Sequence, residues 1–488
     1  MRKIFIILLL YCSTLLGQSL IERESLIKDL TLLSDIIEQT HPAPYLPFGG
    51  KQEFYKTKQD IIRQLPANGL SKVDFCKLLN KFTSKLNDAH TYVSFPEDSG
   101  LKEKMKLPVQ IGIATDALFI QKSVKKYKNL IGCKLTAVNN LNLDSLVRLI
   151  KIYEPCENDY GAYNSILKYV SDKTLAMRLF GLASDVLEFT LVDKNGKTEQ
   201  LKMPFISEDS INNFKTTDLE NAGPRKNNLF DYRYIDIEKK TALFEFNSTY
   251  SREVIEIMKS MKMDYKQTLE MLIGKYGFDV SGSNTDSIRQ IPSLTEYFYD
   301  LLSDMKNNKS DFLIIDLRRN GGGWFPIVIP TLYMLYGDRY FGHNPMAEYN
   351  TRISSLWLAK YKINLEDFNH DNNTSFNLGD MRKGKFMGID TSKSVTERRE
   401  SFITSLTIGK RSGVDLLKSQ NGEPVYLPKI VIITSPVTFS AAFQYLYFLR
   451  EIGNAVVVGT PPRQAGNACM ETTPFVLEHS GLKGSVSN

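Results

Sequence analysis

Three short segments of this chain carry residue types that chemistry needs. Asp88-Ala89-His90 sets an imidazole beside a carboxylate. Gly321-Gly322-Gly323 follows the apolar run DFLIIDL almost directly. Thr438-Phe439-Ser440 places hydroxyls just after the apolar run KIVIITS. A serine hydroxyl attacks a carbonyl at neutral pH only when a base takes its proton, and histidine is the usual base. Glycine amides, with no Cβ in the way, can face an anion. That anion is either a phosphate or the oxyanion of an attacked carbonyl. A phosphate loop would need Lys-Ser or Lys-Thr after its glycines, and neither follows here.

Each segment alone also has a plainer role. The glycines can be a simple turn. Thr438 or Ser440 can be the N-cap of the helix that follows. His90 can be a capping residue in a loop. The pattern GxSxG, which marks a nucleophile elbow in other hydrolases, is absent.

Elements that could hold these segments are visible in the hydropathy. SLIKDLTLLSDIIEQTH and DFCKLLNKFTSKL carry apolar residues at helical spacing, with Phe75, Leu78, Leu79, Phe82 and Leu86 on one face. The second helix ends at NDAH, and TYVSF alternates like a short strand. Residues 19–100 are therefore expected to be an N-terminal helical region. LPVQIGIA, ALFIQKSV, KLTAVNN and LEFTLVDKNGK predict a small β-rich module over 105–205, with a polar helical insertion around 157–180. From 225 to 488, apolar strands (TALFEFN, DFLIIDL, KIVIITS, AVVVGT) alternate with helices such as SLTEYFYDLLSDMK and SAAFQYLYFLREIG. That alternation predicts an α/β sheet covered on both faces, and ligands of such sheets bind beyond the carboxyl ends of the strands. The polar stretch from about 345 to 420 is expected to be an insertion at one rim.

Length and composition agree with a multi-domain α/β protein. At 488 residues the chain exceeds one ordinary core. A net charge of +6, with scattered Lys and Arg, makes no electrostatic case for nucleic acid. Arg2 and Lys3 precede IFIILLLY and then CSTLLGQS, the layout of a secretory signal peptide over residues 1–18. No later stretch is apolar enough to be a transmembrane segment in the mature chain. The remaining Cys76, Cys133, Cys156 and Cys469 form no CxxC pair and are expected to be buried free thiols. No metal site or cofactor is expected.

LNDAHTYV, LIIDLRRNGGG and TSPVTFSAAF, in this order, resemble the tail-specific, or carboxyl-terminal processing, serine peptidase family. The resemblance spans nearly the whole mature chain. It implies a ClpP/crotonase-like α/β peptidase core, and IGCKLTAVNNLNL resembles the family's PDZ-like domain, with Asn140 where glycine is common. One catalytic design of the family pairs the serine with a downstream lysine, but Ala465 occupies that place here. Arg463, close by, is effectively always charged and a poor base. The other design, that of the tricorn core and the chlamydial secreted protease, uses a histidine in a DxH context, which Asp88-Ala89-His90 fits.

By that resemblance Ser440 is the nucleophile and His90 the base. The oxyanion hole is the Ala441 amide with that of Gly322 or Gly323. The partner is a polypeptide substrate, cleaved in unfolded or C-terminal segments, and the compartment is periplasmic or extracellular. The family's orienting glutamate would fall past Asn488, so the C-terminal end is expected to be truncated. Glu471 and Glu478 are the only acids nearby in sequence. The rival expectation is a catalytically impaired member that binds peptides or small ligands.

Overall fold

A computed structural model describes residues 20–96, 104–114, 117–181, 185–211, 228–278, 288–342, 349–384, 392–466 and 468–488. The expected signal peptide lies outside the described residues.

The N-terminal region holds helices α1 (Arg23–Thr40), α2 (Lys51–Gln64) and α3 (Lys72–Thr83). Leu26, Leu30, Leu33 and Ile37 recur at three- and four-residue intervals along α1 and are fully buried. The Ser71 hydroxyl caps α3 by accepting from the Asp74 N–H. A single 3-10 turn, Ser84–Leu86, ends at Asn87 in the left-handed region, φ 49°. Asparagine tolerates that conformation. The chain reverses there, which places Asp88-Ala89-His90 ahead of the short strand β1 (Tyr92–Val93).

The second region is a β module. Strands β2 (Val109–Ile113), β3 (Leu118–Ser123), β4 (Lys134–Val138), β5 (Val186–Val192) and β6 (Thr198–Pro204) pair antiparallel in that order. Helices α4 (Leu143–Tyr153), α5 (Asp159–Ser171) and α6 (Lys173–Phe180) are inserted between β4 and β5. Asn158 caps α5 by accepting from the Gly161 N–H at 2.9 Å.

The third region is α/β. Strand β7 (Phe230–Tyr234) runs antiparallel to β8 (Thr241–Phe246). From β8 the sheet continues in parallel through β9 (Phe312–Asp316), β10 (Lys429–Thr434) and β11 (Val456–Gly459). Leu313, Ile315 and Ile432 are fully buried, as parallel strands between two helical layers require. Helix α7 (Leu294–Asn308) leads into β9, α8 (Ile329–Tyr336) follows it, and α9 (Ala441–Gly453) joins β10 to β11. The polar insertion has its own small core of Ile353, Trp357, Leu358 and Phe368.

The last two strands do not extend this sheet. Strand β12 (Thr472–Val476) pairs with β13 (Lys483–Ser487), and β13 pairs with β1 through Tyr92↔Ser485 and Val93↔Gly484. Phe475, Leu477, Leu482 and Val486 join the core of the N-terminal helices. Among the described residues no helix is long and apolar enough to cross a membrane, and Cys76, Cys133, Cys156 and Cys469 are free thiols.

Candidate active site

Two loops leave the carboxyl edge of the parallel sheet side by side, one from β9 and one from β10. They are stitched together by hydroxyls. Ser435 Oγ donates to the Arg318 carbonyl at 2.6 Å, and Thr438 Oγ1 donates to the Leu317 carbonyl at 2.9 Å. The Phe439 N–H donates to the Asn320 carbonyl at 3.2 Å. Thr438 also accepts from the Ser435 N–H, so its role is to hold the loop.

Ser440 lies between β10 and α9 with φ 53° and ψ −126°. A non-glycine residue held there stores roughly 1–3 kcal/mol of strain, which persists only where the surroundings impose it. The surroundings are on view: the Ser440 N–H donates to Gln464 Oε1, and the neighbouring glycine loop is pressed against it. The Ser440 hydroxyl makes no capping bond to α9. It is left to face outward at the positive end of that helix.

The glycines are shaped by contact as well as by turning. Gly322 has φ +98°, and a Cβ on it would lie 2.7 Å from Ser440 Cβ and 2.8 Å from the Phe439 carbonyl oxygen. Gly323 has φ +146°, and a Cβ there would meet the Thr249 carbonyl oxygen at 2.5 Å. Buried Asn320 fixes the loop: its Oδ1 accepts from the Gly322 N–H at 3.0 Å and from Thr249 Oγ1 at 3.2 Å. The Gly322 amide is therefore occupied. The amides of Gly323 and Ala441 have no partner among the described hydrogen bonds.

His90 reaches this edge from the N-terminal region. Its ring stacks on Phe439, with centroids 4.4 Å apart, and the Arg463 guanidinium covers the ring of Phe439 at 4.2 Å. Both imidazole nitrogens are buried without a hydrogen-bond partner. His90 and Ser440 line one cleft but are not hydrogen-bonded to each other.

Residues 287–487 match the family model of peptidase family S41. The chain carries an S41 peptidase domain. A structure of mature CPAF complexed with lactacystin superposes with TM-score 0.56 at 14% identity, covering 95% of this chain and 89% of that one. A second structure of mature CPAF gives 0.54 at 13% identity, covering 96% and 88%. At such identities the likeness is one of fold. No curated protein matches the sequence.

The S41 domain and its two companion regions enclose a cleft of about 2340 Å³, which includes His90, Gly321, Gly323 and Ser440 in its lining. Trp324, Phe443 and Tyr447 give it apolar surface, while Lys104, Lys168 and Arg178 lie on the side of the β module.

The acids nearby in sequence are not the acids beside His90. Glu471 pairs with Lys360 at 2.9 Å and accepts from the Tyr361 hydroxyl, and Glu478 is exposed. Two other carboxylates face His90 Nδ1: Asp88 Oδ1 at 3.8 Å and Glu157 Oε1 at 4.0 Å. Asp88 accepts from the His90 N–H at 3.0 Å and from the Thr91 hydroxyl, and His41 Nε2 is 3.3 Å from its second oxygen. His41 Nδ1 accepts from the Ala43 N–H, so its proton sits on Nε2, toward Asp88. Glu157 was not foreseen; it arrives on the turn before α5, and no local pattern marks it.

Burial alone would raise the Asp88 pKa, but the neighbouring His41 imidazole brings it below the usual carboxylate range. Burial holds the His90 imidazole below its usual range, against the opposing pull of Asp88. Glu157 is pushed up to about 7, first by burial and then by the Asp88 charge, while the amides of Ala465 and Ala89 pull the other way. Asp88 thus stays charged and His90 neutral near pH 7, the state in which an imidazole can accept a proton. Donor atoms of His41, Asp88 and Cys469, and of Asp88, His90 and Glu157, cluster within 4.8 Å.

Proposed function

We propose that this S41 peptidase uses Ser440 as nucleophile and His90 as general base, with the amides of Gly323 and Ala441 as oxyanion hole. His90 Nε2 takes the Ser440 proton as Oγ attacks a peptide carbonyl. The two free amides accept the oxyanion's charge, aided by the N-terminus of α9. The imidazolium then returns the proton to the leaving amine, and an acyl-serine remains for water to hydrolyse. The observation that carries this reading is the strained Ser440, whose hydroxyl does not cap its own helix and faces the cleft that His90 also lines.

The substrates are extended polypeptide segments, unfolded or C-terminal. The width of the cleft and its mixture of aromatic and basic lining support this class. The basic, then apolar, N-terminal run supports export to the periplasm or the cell exterior.

A fluorophosphonate probe tests the reading. The native chain is expected to be labelled at Ser440, and Ser440→Ala to be unlabelled and inert toward an unstructured protein. Lactacystin, bound in a CPAF structure, is a second probe of the same hydroxyl. A native chain that takes up no label, while still binding peptides, would establish the binding-protein reading instead.

A further inference from the structure

The geometry assigns Glu157 as the positioning residue of His90: we propose that this carboxylate, delivered by the β module, accepts a hydrogen bond from the Nδ1–H of the imidazole and fixes its tautomer and pose. The inference rests on the Ser440–His90 reading above.

Glu157 sits where three segments meet. Its Oε2 accepts from the Ala465 N–H at 2.8 Å, and its Oε1 accepts from the Ala89 N–H at 3.4 Å. The next residue, Asn158, donates through Nδ2 to the Pro462 carbonyl at 3.0 Å. The start of α5 is therefore pinned both to the histidine loop and to the loop after β11. The Glu157 side chain is 3% exposed.

Among the described residues two carboxylates approach Nδ1, and their free lone pairs decide between them. Asp88 Oδ1 already receives the backbone N–H of His90 itself, and Oδ2 receives Thr91 and faces His41. Asp88 is thus committed to shaping the loop. Glu157 Oε1 receives only the long contact from Ala89. A small rotation of either side chain converts its 4.0 Å separation from Nδ1 into a hydrogen bond, the tightening expected when an empty site takes substrate. The imidazolium formed during attack would then be stabilised at Nδ1–H by a carboxylate outside the S41 domain. Catalytic competence becomes conditional on how the β module is docked.

The test compares native chain, Glu157→Gln, Glu157→Asp and Ser440→Ala on a quenched unstructured peptide. Loss of an orienting carboxylate costs up to about 10⁴ in kcat in serine proteases. Glu157→Gln is expected to lose roughly 10²- to 10⁴-fold in kcat with KM within about threefold, and Glu157→Asp to recover part of it. Ser440→Ala separates the two ideas. If it is dead while Glu157→Gln keeps native kcat, this inference falls and the peptidase reading stands. If Ser440→Ala cleaves normally, the reading beneath it falls. Because Glu157→Gln can also weaken folding, histidine-selective ¹⁵N spectra of the native chain give an independent check, with His90→Gln to assign the signal. A protonated Nδ1 on His90 is expected; the Nε2–H tautomer would overturn the proposal.

Discussion

The imidazole of His90 and the phenyl ring of Phe439 lie face to face, 4.4 Å between centroids and 21° from parallel. The residue before the proposed nucleophile is thus the surface against which the proposed base is held. Arg463 presses on the same phenyl ring, so three side chains from three segments share one stack. Aromatic pairs of this kind contribute about 0.5–1.5 kcal/mol. Phe439→Leu should keep the fold and lower kcat by about tenfold, with KM little changed, as the imidazole loses its pose. Unchanged kcat would show that the stack is only packing.

Ser440 is strained and makes no capping bond, so removing its side chain gives up function and no local stability. Ser440→Gly should raise folding stability by about 1 kcal/mol, because glycine occupies positive φ without a Cβ clash. It should also abolish labelling and cleavage. Chemical denaturation of Ser440→Gly beside Ser440→Ala measures the difference; equal stabilities would mean that the backbone there is not under strain.

Gly322→Ala is expected to damage fold and site together. The new methyl group would press on Ser440 Cβ at 2.7 Å and on the Phe439 carbonyl at 2.8 Å, at a φ of +98° that L residues avoid. A loss of about 2 kcal/mol or more is expected, with fluorophosphonate labelling slowed at least as strongly. Gly321→Ala is the control, since its Cβ would meet only the Val437 carbonyl at 4.0 Å.

Glu157 predicts a pH signature. Its carboxyl titrates near 7 when folded against about 4.5 when unfolded, first because it is buried and then because Asp88 is close. Between these values the folded chain binds more protons than the unfolded one, so this residue makes stability fall as pH rises through that window. Its contribution amounts to at most about 3 kcal/mol. His90, whose pKa is lowered, acts in the opposite sense, and Arg463 and Cys469 also face the cluster. Comparison with Glu157→Gln isolates the glutamate: the variant should gain stability relative to the native chain between pH 5 and pH 8. A constant difference across that range would contradict the raised value.

Local chemistry was legible in the sequence wherever one segment sufficed. The apolar strands, the glycines after β9 and the hydroxyl at the β10–α9 turn each follow from a few adjacent residues, because strand, turn and helix start have local rules. The acid beside His90 had no such rule. Glu157 stands in EPCEND, between two helices of another region, and only tertiary docking brings it to the imidazole. Proximity along the chain pointed to Glu471 and Glu478, yet Glu471 turns toward Lys360 and Tyr361 of the insertion. The pairing of β1 with β13 was equally hidden, since hydropathy marks strands but not their partners.

That pairing sets the order in which the molecule can become a protease. The Ser487 N–H donates to Thr91 Oγ1 at 2.9 Å, and the same hydroxyl donates to Asp88, which shapes the His90 turn. The strand that steadies the base is therefore made after the nucleophile, its helix and the whole parallel sheet. Contacts spanning so much of a sequence form slowly, and domains otherwise fold as they emerge from the ribosome. A chain ending at Gly459 would hold every residue of the oxyanion hole and still lack the clamp on its histidine. Stalled at that point, it is expected to take up no fluorophosphonate, whereas labelling at the native rate would show that the clamp is dispensable.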